Sequence, residues 1–374
     1  MLFSNQDIDL LRLLRWCSFV SCEDVTSTFP AATIQNLRLL KMITVHKKSA
    51  SFVLTGKGNQ FLNDNIESLP APKSSTYRET HIQRRLHVAK LTMTAYRSGM
   101  SVFHTDPKAL EHSSSYYLTA QARVRGFNPW GSARVAALSR LDNTLCAVHF
   151  IFPDVGKIAL TDELNAFNNN TAAIKNVQRA LILAGKSYKD IITELTPTKE
   201  ASGTRKVFYW EAYRTLTMPI FILSCDTIGA LQLRIMSQPD YRRRLTLAAL
   251  NSFYEPPPKE HPEWDAMFDG APFVMAVDMD LRRIDTAIES ARAAGFQQIA
   301  IAALDGQAKA VLSLRYRVPG LARVFTLSEE AIATLGDMTL YAPSPRQYET
   351  PEGGVINAPL IQTDRKSGGQ SRKS

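Results

Sequence analysis

The chain has 374 residues, 45% of them hydrophobic and 21% charged, an ordinary balance for a globular protein with room for two or three domains. Its net charge of +9 is unevenly spread: residues 68–150 hold eleven Lys and Arg against four Asp and Glu, and the last ten residues hold four basic residues and no acid. Cys17, Cys22, Cys146 and Cys225 have neither zinc spacing nor a disulfide framework, residues 1–16 lack a signal-peptide core, and the most apolar run, 218–235, is broken by Asp226, Gln232 and Arg234. The expectation is a cytoplasmic chain with reduced thiols and no membrane span.

Residues 5–16 place Ile8, Leu11 and Leu14 on one side of a predicted helix, and 22–29 form a second, short one. Pro30 opens a third, at the first-turn position that proline tolerates. There Ile34, Leu37 and Leu40 recur three apart and mark a buried face. At about 100° per residue, Ala32, Gln35 and Leu39 point the opposite way, with Asn36 and Arg38 on the flanks. Ile43 and Val45 then alternate, 47–50 is a polar basic tip, and 52–54 returns as a second strand. Thr55 stands where it can cap the helix that follows, in LTGKGNQFL. Residues 1–67 therefore read as a winged helix-turn-helix. In that module the third helix enters the major groove. Gln35 and Asn36 would offer amides to base edges, Arg38 a guanidinium to guanine or phosphate, and Lys47 and Lys48 would approach phosphates. Seven basic against six acidic residues over 1–67 equally suit a winged helix that binds protein.

ESLPAPKSST, residues 67–76, is Pro/Ser-rich, and 68–79 read as the linker that follows the first domain. A long amphipathic helix follows at 80–98. Thr80 caps it, Ile82, Leu86, Ala89 and Met93 form its apolar stripe, and Arg84 and Arg85 lie on other faces as phosphate contacts. His81 and His87, six apart, diverge and are not read as ligands. Strands at 135–141 and 145–152 flank an Asp142-Asn143 turn, and a third short strand is expected at 157–160. A helical stretch opens at Thr161, breaks at 168–170 and resumes through Ala184. A strand at 221–225 precedes a helix capped by Thr227.

Helix, three strands, helix, strand is the order of the restriction-endonuclease-like core, and 80–253 reads as a mixed α/β domain of that kind. An active enzyme needs an acid on the second strand and Glu/Asp-x-Lys on the third, to hold Mg²⁺ and an attacking water. Asp154, in Pro153-Asp154, stands in the first place. KIALTDELNAF supplies Asp162 and Glu163 in the second, without the lysine two residues on. The core is therefore expected to be degenerate, needing no cofactor, with Mg²⁺ only if it cleaves DNA.

YEPPPKEHP is a connector, and 254–338 carries a βαβ pattern packed on the core: strand 272–280, helix 281–294 ending at Gly295, strand 298–303. Asp278, Asp280 and Asp305 would meet at the carboxyl edge of those strands, either to hold a divalent ion or to cap the next helix and turn. The chain has no GxGxxG, GxxxxGK[ST] or GxSxG, so nucleotide and acyl-transfer chemistry lack support. Residues 339–374 are Pro/Gly-rich and basic and are predicted to be disordered.

Four stretches, LTGKGNQFL, HIQRRLHVAKL, SARVAALSRLDNTLCAVHF and FILSCD, together resemble the winged-helix replication-relaxation proteins of plasmids and integrative or conjugative elements, over about two-thirds of the chain. The resemblance implies an α+β or α/β protein of a bacterial mobile element that binds double-stranded DNA in plasmid replication, transfer or transcription control. Such readers gain site length as homodimers, so a homodimer is expected. Two other readings stay open: a Mg²⁺-dependent nuclease or nickase working from Asp154, Asp162 and Glu163, and a protein-interaction adaptor that binds no DNA.

Overall fold

The computed structural model describes residues 2–71, 78–123, 127–131, 133–151, 160–195, 216–312, 321–340, 346–349, 355–358 and 361–362. The architecture is mixed α+β, and the chain divides into two compact units, Met1–Lys90 with Ala342–Ser374, and Leu91–Tyr341. No helix among the described residues is long and apolar enough to cross a membrane.

In the first unit α1 (Asn5–Cys17) opens in a capping box: Ser4 Oγ accepts from the Asp7 amide, and the Asp7 carboxylate accepts from the Ser4 amide. Ile8, Leu10, Leu11, Leu13 and Leu14 are all buried, so α1 is the central helix of the unit. Its Arg15 is buried too, donating to the Pro70 carbonyl at 2.7 Å and to the side-chain oxygens of Asn59 and Asn63. Ser21 caps α2 (Cys22–Thr28). Pro30 is the N-cap of α3 (Ala31–Leu39) rather than its first turn, because its ψ of 145° is still extended. With β1 as Leu2–Phe3, the strands β2 (Val20–Ser21), β3 (Ile43–His46) and β4 (Ser51–Leu54) form an antiparallel sheet in the order β2-β4-β3. Thr55 then caps α4 (Gly56–Asn65): its hydroxyl accepts from the Gly58 amide at 3.1 Å and donates to the Lys41 carbonyl at 2.7 Å. A Cβ on Gly58 would lie 2.3 Å from the Met42 carbonyl oxygen, so only glycine lets α4 close against the start of β3.

Helix α5 (Glu79–Arg97) begins one residue before the expected Thr80, and the division between the units falls within it. Beyond it, β5 (Ser115–Leu118), β6 (Ala137–Leu141), β7 (Thr144–Phe150), β8 (Gln178–Gly185) and β9 (Ile220–Ser224) lie in sequence order across one sheet. β5, β6 and β7 are antiparallel, whereas β7, β8 and β9 are parallel. Asp142, at φ 45°, and Asn143 make the two-residue turn between β6 and β7.

Two expectations fail in this sheet. Residues 178–184 are not helix but β8, the strand between β7 and β9. A short apolar run such as ALILA has no periodicity to separate helix from strand, and burial of Ala180 through Gly185 on both sides selects the strand. Of the expected third strand, 157–159 lie outside the described residues and Leu160 already opens α6 (Leu160–Asn170), which runs unbroken through Asn168. α7 (Tyr188–Leu195) connects toward β9, and Asp226, not Thr227, caps α8 (Thr227–Met236), its carboxylate accepting from the Gly229 amide at 2.9 Å.

After α9 (Tyr241–Leu250), a second sheet has the order β10 (Ala266–Phe268), β11 (Ala271–Met275), β12 (Ile299–Ala303), β13 (Ala322–Thr326), with β11, β12 and β13 parallel. The helix α10 (Leu281–Ala293) joins β11 to β12 as the expected βαβ unit, ending at Gly295 with φ 83°. One apolar cluster serves both sheets, bringing Leu145, Leu181 and Ile222 together with Val274, Ile284 and Ile301. Where the sheets join, Tyr188 Oη donates to Gln232 Oε1 at 2.5 Å, and Gln232 Nε2 donates to the Asp278 carbonyl at 2.9 Å.

In the stretch expected to be a disordered tail, β14 (Arg346–Glu349) pairs with β15 (Val355–Ala358), and β16 (Ile361–Gln362) pairs with β1. Tyr348, Val355 and Ile356 favour paired strands, a signal that the Pro/Gly content of the stretch outweighed in the sequence reading. Residues 363–374 lie outside the described residues.

Candidate nucleic-acid interface

α3 turns Ile34 and Leu37 inward and leaves Gln35, Arg38 and Leu39 in water, as the three-residue spacing requires. Asn36 is half-buried and leans toward α1, its amide 3.5 Å from Asp7 Oδ2, so the flank it occupies is the inner one. Arg38 lies near Cys22: burial holds that thiol above its ordinary value, and the Arg38 charge pulls the other way.

The tip between β3 and β4 is a single tight turn, Lys47–Ser49, closed by Ala50 at φ 44°. Beneath it His46 Nδ1 and Ser49 Oγ are 2.7 Å apart, Ser49 Oγ and Ser51 Oγ also 2.7 Å, and His46 packs edge-on to Phe19. These contacts hold the backbone of the tip while Lys47 and Lys48 project into solvent.

Arg84 is exposed on α5, but Arg85 is half-buried and donates to Ser18 Oγ at 2.6 Å, at the end of α1. Its guanidinium is engaged in packing α5 on the first unit, which leaves it poorly placed for phosphate.

Sequence counting over 1–67 hides the charge pattern of this surface. Residues 25–63 contain Arg38, Lys41, Lys47, Lys48 and Lys57 and no Asp or Glu at all. The acids of 1–67 lie outside that run: Asp7 and Asp9 are buried on α1, Asp24 binds Ser21 Oγ at 2.6 Å and faces Lys90 at 3.7 Å, and Glu23, Asp64 and Glu67 are exposed. Exposed Lys41 and Lys57 thus join the candidate set, and the acid-free run is the signal that would have found them.

The acids proposed for cleavage do not assemble in the described residues. Asp154 lies outside them. Asp162 and Glu163 fall in the first turn of α6 instead of at a strand end. Asp162 is exposed, whereas buried Glu163 accepts the Arg134 amide with both oxygens, at 2.7 and 2.9 Å. Beside it, at 3.9 Å, is His149 of β7, pushed down to about 4 by burial and so neutral at neutral pH. Among the described residues no group of three His, Cys, Asp or Glu could hold a metal ion.

Nor do Asp278, Asp280 and Asp305 form one site. Asp305 is exposed and pairs with Lys309 at 2.7 Å. Asp280 caps α10, accepting from the Arg283 amide, and Asp278 accepts from the Asp280 amide at 3.2 Å, the structural role weighed above. Buried Arg283 binds Asp265 at 2.7 Å and Asp278 at 3.3 Å, while Tyr241 Oη donates to Asp278 at 3.1 Å. Burial opposes the charge on Asp278, but Arg283 and Arg242 outweigh it and hold that carboxyl below its usual range. Asp280 is pushed up to about 6, by burial first and then by Asp278.

No family model matches this chain, and no curated protein or solved structure is similar to it.

Proposed function

We propose that the chain is a DNA-binding protein whose first unit reads the duplex as a winged helix-turn-helix, with α3 in the major groove and the β3–β4 tip along the backbone. The observation that carries this is the acid-free run 25–63, which holds exposed Arg38, Lys41, Lys47, Lys48 and Lys57 and includes the exposed α3 residues Gln35 and Leu39. The order of α1, β2, α2, α3, β3, β4 and α4 supports the same reading. Gln35 and Arg38 are the base-reading candidates, Lys47, Lys48, Lys41 and Arg84 the phosphate contacts. A role in replication, transfer or transcription of a mobile element follows from the resemblance in sequence. The order α5, β5 to β7, α6, β8 is again helix, three strands, helix, strand, but with β5 and β8 in place of the strands expected at 157–160 and 221–225, so it supports a restriction-endonuclease-like scaffold by topology alone.

Fluorescence polarisation on labelled duplex across a salt series tests the proposal. Affinity is expected to fall with a log–log slope of about −3 to −4 for that many phosphate contacts. Binding that is absent at low salt, or indifferent to salt, overturns it and leaves the adaptor reading. The same mixtures with Mg²⁺, run on a gel, address the nuclease reading: nicking abolished by Asp154→Ala would restore it, and intact DNA retires it.

A further inference from the structure

Leu39 stands 82% exposed at the end of α3. A single leucine in water means little by itself, but its position means more. Gln35 and Leu39 are four residues apart, one above the other on the helix face opposite buried Ile34 and Leu37. The run 25–63 that contains them carries exposed Arg38, Lys41, Lys47, Lys48 and Lys57 and no carboxylate, so its complementary occupant is a polyanion. A polyanion that also offers a leucine something apolar in a groove is duplex DNA. Thymine carries its 5-methyl in the major groove, and adenine presents N7 and N6–H₂ there to a glutamine amide.

We infer that Gln35 and Leu39 are a readout pair for A·T-containing sites, the amide taking an adenine edge and the leucine a thymine methyl. The inference rests on the DNA-binding reading and adds its base chemistry. Four residues of helix rise about 6 Å, a little under two base-pair steps of about 3.4 Å. The adenine and the methyl-bearing thymine therefore stand one or two base pairs apart.

The test starts with selection of duplexes from a randomised pool by the full-length protein, then polarisation on the selected duplex with each thymine replaced singly by deoxyuracil. The replacement removes one methyl and leaves pairing unchanged. One substitution is expected to weaken wild-type binding about three- to fivefold, and the loss to vanish in Leu39→Ala. Gln35→Ala is expected to relax the preference for an adenine one or two pairs away by about tenfold. Leu39 is exposed, so its alanine variant keeps the wild-type melting temperature. If no uracil position matters, or if the loss persists in Leu39→Ala while salt-dependent binding is intact, this inference alone is overturned. If no duplex is bound at low salt, the DNA-binding reading falls and the inference with it.

Discussion

In the first unit, Arg38, Lys47 and Lys48 stand in water within a stretch that holds no carboxylate. In the second, Arg283 is buried between Asp265 and Asp278, with Arg242 3.9 Å from each of the same acids. Both arrangements follow from the cost of removing charge from water. A guanidinium taken inside must find carboxylates and carbonyls or the fold loses several kcal/mol. A cation left outside needs no partner in its own chain and stays available to one that arrives. The second unit thus buries Arg283 to join elements, while the first leaves Arg38, Lys47 and Lys48 in water and uses other cations, Arg15 and Arg85, in its own packing.

The sharpest break of this contrast is Arg283→Met. It leaves half-buried Asp265 and buried Asp278 with only the more distant Arg242 as a cation and is expected to cost about 3 kcal/mol in urea unfolding. On the other side, Lys47→Ala with Lys48→Ala is expected to lower DNA affinity about tenfold at low salt and to reduce the salt slope by nearly two, with stability unchanged within about 0.5 kcal/mol. A stability loss comparable to that of Arg283→Met would erase the distinction between the two units.

Asp280 sharpens the comparison through pH. Its folded pKa, about 6, is above that of the unfolded chain, so the folded state binds the proton more tightly. The stability it contributes is complete below about pH 4 and is lost as pH rises through 6. Asp280→Asn keeps a helix-capping oxygen and removes the buried charge. It should raise stability by about 1–2 kcal/mol at pH 7.5 and by little at pH 4, read from thermal melts at both. The smallest effect is expected at the solvent-exposed pair Arg243–Asp240, 4.0 Å apart. Arg243→Ala should move stability by less than about 0.5 kcal/mol at any pH.

Much of the first unit was legible because its signals are local. The spacing of Ile34 and Leu37, the alternation of Ile43 and Val45, and Thr55 before a helix each need only a few neighbouring residues. The Asp142-Asn143 turn and the βαβ around α10 were legible for the same reason. What failed depended on distant partners. ALILA became β8 because β7 and β9 lie on either side of it. Arg85 and Asn36 left the outer surface because Ser18 and Asp7 of another helix region meet them. Glu163 was spent on the Arg134 amide, a partner 29 positions away. The cationic run was hidden for a different reason: over 1–67 it is offset by six acids, of which Asp7 and Asp9 are buried on α1 and Glu23, Asp24, Asp64 and Glu67 flank the run.

The parallel pairing of β7, β8 and β9 also has a consequence in time. Parallel neighbours cannot be joined by a tight turn, so β8 meets β7 only after α6 has intervened, and β9 meets β8 only after α7. Pairings of such long sequence separation form slowly, whereas α1 to α4 and their hairpin close within residues 5–65. Those residues precede β7, β8 and β9 in the chain and leave the ribosome before them. The helices α1 to α4 and their hairpin therefore have all their own segments in hand while the strands of the larger sheet are still being translated, whereas β1 waits for β16.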